Sequence, residues 1–452
     1  VSLELRVAGR HGPSSDVERS FPELSETHRI PVLGLYQDHA NLVELTLIDE
    51  QGEVLETLSY TVQTGPPNPH LPDITIEQAQ PSAMVDGMTL VSYFGHGGQR
   101  FPNRPFAFDR YGDVRWVLDY EGHGALGDLS FDNGVERLAN GNLYFASQQT
   151  DRIYEVDMLG EVLNSWSMPG FGFHHQVLEM PNGNFLVTVH NREIDTIEDH
   201  VIEIERTGGA VVEVWDLRES LDEFRRTWSD AVVDWAHVNA VAYDERDDAI
   251  IVSARHQGVV KLTRNNEVVW ILAPHRGWET AGDGTDLSTR LLQPLDAVGQ
   301  PIQDAGVLSG EENHPDFEWN WYQHAPLVMP DGNVLLFDNG DDRNYVGTGP
   351  YSRAVEYRID DDAMTVRQAW SYGKERGEET YSRIVSDVDY SPEEKHVFFS
   401  PGAVEFGGTH YGKVVEIDRA GDAVLFEATI TPPEPFFIVT FHRTERFSLY
   451  PD

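Results

Sequence analysis

The sequence predicts an all-β protein: a six-bladed β-propeller preceded by a small β-sandwich-like domain. Three observations carry that expectation. One unit recurs along most of the chain: a turn signal such as Asn-Gly-Asn, an apolar run, a polar turn, and a second run closing on Val, Ile or Trp. Its copies follow one another at a period of about 40 to 50 residues with several short strands in each, which is how propeller blades read in sequence. The first 65 or so residues lack the unit and carry short alternating runs between polar turns, as a small sandwich does.

In chain order, SLELRVAG, IPVLGLY, LVELTLID and LETLSYTVQT supply the N-terminal strands. TGPPNPHLPD then reads as an extended linker, dividing the chain into a domain over 1–70 and a propeller over 71–452. Units open at residues 88, 133, 174, 237, 323 and 385, and six units predict six blades. The first spans 88–120 and the last runs from about Val385 to Ile430. Two inserts break the pattern. RESLDEFRRTW, within 218–234, predicts a short surface helix, and 273–320, rich in Gly, Pro and Asp, predicts a loop over one face.

Composition bounds the function. With 33 basic against 76 acidic residues, the formal net charge is −43, and lysine occurs only at 261, 374, 395 and 413. Nucleic acid and anionic membranes need a cationic footprint, so neither is expected as a partner. The acidity spreads along the whole chain, as a solvated surface suited to high salt would, with an acidic binding face as the alternative. Cysteine is absent, which removes disulfides, thiolate metal sites and cysteine nucleophiles. No run approaches the roughly 18 uninterrupted apolar residues of a transmembrane helix. No charged-then-apolar leader precedes the first strand at Val1, so a signal peptide, where one is encoded, lies outside this chain.

Register between the units converts repetition into a site. Aligning Met180, Tyr243 and Met329 brings Asp132-Asn133, His174-His175, His237-Val238 and Gln323-His324 to one position in four blades. That position leads the strand nearest the central channel, so its side chains line the mouth of a funnel. A lone histidine is usually a hydrogen-bonded structural residue. Histidine at the same position in three of six units is different, because the fold needs none there. Arg255 follows on the next strand of the His237 blade, and a guanidinium fork among histidines matches sulfate, phosphate or carboxylate.

These residues also carry a family resemblance. DWAHVNAVAYDERDDAIIVSARHQGVVKL (234–262), FHHQVLEMPNGNFLV (173–187), QHAPLVMPDGNVLLFDNGDDR (323–343), SRAVEYRID (352–360) and SYGKERG (371–377) closely resemble the bacterial aryl-sulfate sulfotransferases that work without phosphoadenosyl sulfate. IPVLGLY resembles the same family's N-terminal strands. The resemblance implies no cofactor or metal, a small-molecule aryl sulfate as donor, a phenol as acceptor, a periplasmic or otherwise exported setting, and often a homodimer. It places the family's nucleophilic histidine on His324, its sulfuryl-binding histidine and arginine on His237 and Arg255, and a substrate-side asparagine on Asn239. A further histidine falls in the pair His174-His175, and the repeat register is equally divided between the two. A family threonine has no match beyond Ser386, the nearest hydroxyl, and the family's cysteine pair is missing. Under that reading a neutral imidazole takes the sulfuryl group from one phenol and hands it to another.

Other features point elsewhere. Gly122, Gly124 and Gly127 spell GxGxxG, but turn signals rather than a helical period follow, against a dinucleotide site. Asp338-Asn-Gly-Asp-Asp342 offers oxygens for calcium without full EF-hand spacing, and reads as a polar turn. Converging histidines alternatively suit a metallo-hydrolase of sulfate or phosphate esters, a reading that Arg255 opposes. A non-catalytic binding propeller is the remaining alternative, with no reason to repeat histidine at the funnel.

Overall fold

The structure is a computed structural model that describes residues 1–96, 104–124, 126–127, 134–226, 228–347, 349–434 and 438–450, with side chains of 94–96 left aside. Six antiparallel sheets follow the six predicted units. Blade 2 holds Glu136–Arg137, Leu143–Ser147, Arg152–Val156 and Val162–Ser167; blade 3 holds Phe171–Glu179, Phe185–Asn191, His200–Ile204 and Val211–Asp216. Blade 4 holds Val238–Asp244, Ala249–Ala254, Gly258–Thr263 and Val268–Leu272; blade 5 holds His324–Val328, Val334–Asp338, Arg353–Asp360 and Thr365–Tyr372. The signature turn of the repeat is the first hairpin of a blade. Gly141 and Gly183 stand there at φ 86° and 85°, a left-handed conformation that costs glycine nothing.

Closure of the ring is where sequence and structure part. The first unit supplies only Met88–His96, Phe106–Phe108 and Val114–Val117 to blade 1, and its innermost strand is Ile438–Phe447 from the far end of the chain. Blade 6 holds Asp387–Ser391, His396–Ser400, Thr409–Asp418 and Ala423–Thr431, and Asp73–Ala79 adds a fifth strand on its outer edge. Both chain ends of the propeller thus cross the seam, so opening it means breaking two ladders. IVTFHRTERF hides this role because it has no turn-and-run unit around it.

The N-terminal residues form one four-stranded sheet, with Val17–Phe21, Ser2–Val7, Ala40–Ile48 and Val54–Gln63 in spatial order. Leu3, Leu5, Val7 and Val43 share one apolar cluster with Leu90, Trp116, Leu118, Phe447 and Tyr450 of blade 1 and its tail. The inserts also depart from expectation. The helix in 218–234 shrinks to the single turn Leu217–Ser220. The 273–320 insert is fastened to the outer edges of blades 4 and 5, where Leu292 donates to Ile271 and Gln293–Pro294 pairs with Thr365-Val366, and it also meets loops between strands, where Asn344 and Tyr345 donate to Gly310 O and Ser309 O. Trp278, Leu287, Leu292, Val307 and Phe317 explain that, since all are buried in the core of those blades. Among the described residues no helix is long and apolar enough to cross a membrane.

Candidate active site

The heads of the innermost strands are built alike. The ladder between first and second strand shifts register between Phe173 and Val177, Val238 and Ala240, His324 and Leu327, and Phe441 and Thr444. Each shift is a bulge that frees a residue from pairing and re-aims its side chain. His175, His237 and Ala325 take left-handed φ of 59°, 50° and 49° there, strain of order 1–3 kcal/mol per residue that the surrounding ladders hold in place. The outcome is a ring of imidazoles. His175 lies 5.0 Å from His237 and 5.6 Å from His442, His324 lies 6.3 Å from His442, and His256 lies 5.0 Å from His237, all between ring centroids. Below them on the axis is a cavity of about 410 Å³, lined by Glu136, Glu445, Asp387 and Asp389 among others.

His324 is the most enclosed member, 2 % exposed. Its Nδ1 lies 2.7 Å from Asn339 Oδ1. The Asn339 amide cannot be turned round, because its Nδ2 donates to Ser382 O at 2.8 Å and Val385 O at 3.1 Å. The oxygen therefore faces the imidazole, Nδ1 carries the proton, and Nε2 keeps its lone pair. Burial, with Arg255 and His442 nearby, pushes the His324 pKa well below the ordinary imidazole value. The preceding residue is equally fixed: Gln323 O accepts from Asn239 Nδ2 and Ser253 Oγ, and Gln323 Nε2 donates to Ser253 Oγ and Gly258 O.

Among the other histidines lies a buried carboxylate that the sequence did not suggest. Glu198 contacts His174 Nδ1 at 2.8 Å, His175 Nε2 at 3.1 Å and His237 Nδ1 at 3.0 Å. Desolvation alone would raise its pKa, but the histidines outweigh burial and hold it far below the usual carboxylate range. Asp234 Oδ2 reaches the same His237 nitrogen at 2.6 Å. Burial and the neighbouring Glu198 charge push Asp234 up to about 7. His256 donates from Nδ1 to Asp234 O at 2.8 Å, and burial beside His237 and Arg255 brings it down to about 4.

Arg255 packs its guanidinium 4.6 Å over the Tyr322 ring, and its Nε is buried without a hydrogen-bond partner among the described residues. Its backbone N–H bonds His237 O at 3.0 Å, which pins cation and imidazole together. Asn239 has a buried Oδ1 without a partner among the described residues. The pair left open by the sequence divides: His175 joins the ring between His237 and His442, while His174 sits 4.8 Å from His190 and meets the cluster through Glu198. Ser386 heads the blade 6 strand at φ 88°, its hydroxyl donating to Ser382 Oγ and accepting from Gly402 N. Asp132 and Asn133, the fourth aligned pair, fall outside the described residues.

Glu198, Asp234, His256, Asn339 and His442 were all missed in the sequence. Asp234 and His256 lie within the DWAHVN and SARHQG segments, and contact with His237 is what singles them out. Asn339 belongs to the FDNGDDR run read as a turn; there Asp338 pairs with Arg343 and Arg353, and Asp341 with Arg383. A buried neutral imidazole, further imidazoles and a guanidinium whose buried Nε has no partner among the described residues are groups suited to holding a compact oxyanion-bearing group.

Fold and site together define a β-propeller whose funnel is lined by histidines and an arginine. Comparison with known proteins makes that specific. The family "Arylsulfotransferase (ASST)" matches residues 73–435, and "Arylsulfotransferase Ig-like domain" matches residues 1–65. Arylsulfate sulfotransferase AssT from Escherichia coli O6:H1 (strain CFT073) is 32% identical, covering 96% of this chain and 87% of that protein. Its namesake from Lelliottia amnigena is 31% identical, covering 96% and 86%. Among solved structures, virginiamycin B lyase from Staphylococcus aureus aligns at a TM-score of 0.36 and 8% identity over 79% of this chain and 99% of that one. The chain belongs to the arylsulfotransferase family and is a sulfotransferase enzyme.

Proposed function

We propose that the protein moves a sulfuryl group from a phenolic sulfate ester to a phenolic acceptor by a ping-pong route with His324 as covalent carrier. The observation that carries this reading is the locked Asn339 amide, which leaves His324 neutral with a lone pair on Nε2. Nε2 attacks sulfur, the sulfur–oxygen bond to the phenol breaks, and a sulfo-histidine remains; a second phenol then takes the group from the same nitrogen. Arg255, His237 and His175 surround the three sulfuryl oxygens, where loss of one preorganised donor costs about 10²- to 10³-fold in rate. His174, Asn239 and Ser386 are the substrate-side residues. No cofactor enters the cycle. Turnover of a chromogenic aryl sulfate with and without added phenol tests it: rate that requires the phenol, with parallel double-reciprocal lines, is expected, whereas phenol-independent hydrolysis contradicts transfer.

A second reading has one observation in its favour. His174, His175 and Glu198, and separately Asp234, His237 and His256, offer ligand atoms within 4.8 Å of one another, as a metallo-hydrolase would. The nearby Arg255 guanidinium opposes a divalent cation. Stoichiometric, activity-linked metal in elemental analysis would favour that reading over the covalent one.

The domain boundary near residue 70, an exported setting and a homodimer belong to the same proposal. Support for the dimer comes from Val54–Gln63, the edge strand of the N-terminal sheet, where Val54, Leu55, Tyr60 and Val62 are exposed.

A further inference from the structure

We infer that Asp234 and Glu198 are positioning residues that keep His237 doubly protonated, so that its Nε2 gives a proton to the departing phenolate and recovers it from the incoming phenol. The inference rests on the ping-pong reading above. Its basis is a crowded nitrogen: His237 Nδ1 meets Asp234 Oδ2 at 2.6 Å and Glu198 Oε2 at 3.0 Å. Two carboxylates on one ring nitrogen require a proton there, and their combined charge favours a second proton on Nε2.

The carboxylates come from separate segments, and each is anchored to the ring's surroundings. Glu198 stands at φ 54°, its carbonyl accepts from Val238 N at 2.7 Å, and its side chain is further held by His174 and His175. Asp234 lies three residues before His237, and its carbonyl accepts a hydrogen bond from His256 Nδ1. Among the described residues, charges reach the ring from three directions. Blade 3 presents His175 and Glu198, the 218–234 insert presents Asp234, and blade 4 presents His256 and Arg255.

The cycle closes without a further reactant. In the first half-reaction the sulfur–oxygen bond breaks, sulfur bonds to His324 Nε2, and the electron pair left on the phenol oxygen takes the His237 Nε2 proton. In the second, the acceptor phenol returns a proton to His237 as its oxygen attacks sulfur, and the nitrogen–sulfur electron pair goes back to His324. A leaving phenol whose pKa is roughly 10 needs this help, whereas an acidic nitrophenol needs little.

Asp234→Asn and Glu198→Gln keep size and hydrogen bonding but remove charge. The test measures the first half-reaction in single turnovers with 4-nitrophenyl sulfate and with phenyl sulfate, scoring the adduct on His324 by mass spectrometry. Expected for each variant is a loss of a few-fold with the nitrophenyl donor but about 100-fold with the phenyl donor, a general-acid contribution, together with a lower pH for the alkaline limb. A loss equal for both donors, or none, overturns the inference. Wild-type protein without a His324 adduct instead overturns the ping-pong reading beneath it.

Discussion

At the scale of single residues, function rests on tautomers and charges set by neighbours. Asn339→Ala should lower turnover by about 10- to 100-fold with little change in KM, because the imidazole loses the acceptor that keeps the lone pair on Nε2, and orienting partners of this kind are typically worth that much. Asn339→Asp, which keeps an acceptor, should recover part of the loss; equal defects in both would show that the contact is merely structural. His324, His237 and the His174-His175 pair were legible in the sequence because they recur at one repeat position, and recurrence without structural need is a signal. Glu198, Asp234 and Asn339 recur nowhere. They lie on loops between strands, and only folding brings them within 3.1 Å of the repeated histidines. His174 and His175 separate for the same reason: the left-handed turn at His175 aims one of two adjacent side chains inward.

At the scale of strands, the bulged heads of the innermost strands form the funnel and their lower halves form the acidic cavity. Burial, with Asp389 and Glu136 nearby, pushes Glu445 on the closing strand up to about 8, and burial pushes Asp387 to about 7 and Asp389 to about 6. A raised carboxyl pKa favours the protonated fold: its contribution is complete below the unfolded value near 4.5 and is lost as pH rises through 8. Glu445→Gln should therefore raise the melting temperature at pH 8 more than at pH 5. An equal change at both values would contradict this titration. Blade number and strand order were readable from turn spacing, because each hairpin is a local event. The closing strand was not, since its partner Met88–His96 lies some 350 residues earlier in the chain. Nor was the 273–320 insert, whose turn-rich composition concealed the buried Trp278, Leu287 and Phe317.

At the scale of the molecule, the net charge of −43 has two consequences. Among the four lysines, Lys261 is buried against Asp244, Asp247 and Asp361, Lys413 is buried against Glu77 and Glu427, and Lys374 pairs with Glu318, so they offset little of the acidic surface. Self-repulsion is screened as the Debye length falls from about 10 Å at 0.1 M salt to about 3 Å at 1 M. The melting temperature should rise over that range of sodium chloride, and a flat or falling profile would contradict a repulsion-limited fold. Screening also lets an anionic donor approach an acidic protein, while Arg255, tied to His237 through its backbone, keeps its attraction. For the proposed dimer, Leu55→Lys with Tyr60→Lys on the exposed edge strand should give a monomer by light scattering; a dimer that persists would place the interface elsewhere. Blades and bulges gather the histidines of the funnel, and the proposed reaction runs through one nitrogen among them, His324 Nε2. Incubation with an aryl sulfate alone, followed by peptide mass spectrometry under alkaline conditions that preserve a sulfo-imidazole, reads that nitrogen directly: an added sulfuryl mass on the peptide bearing His324, absent from His324→Ala, is the predicted result, and an unmodified His324 or a sulfuryl group on another residue would contradict it.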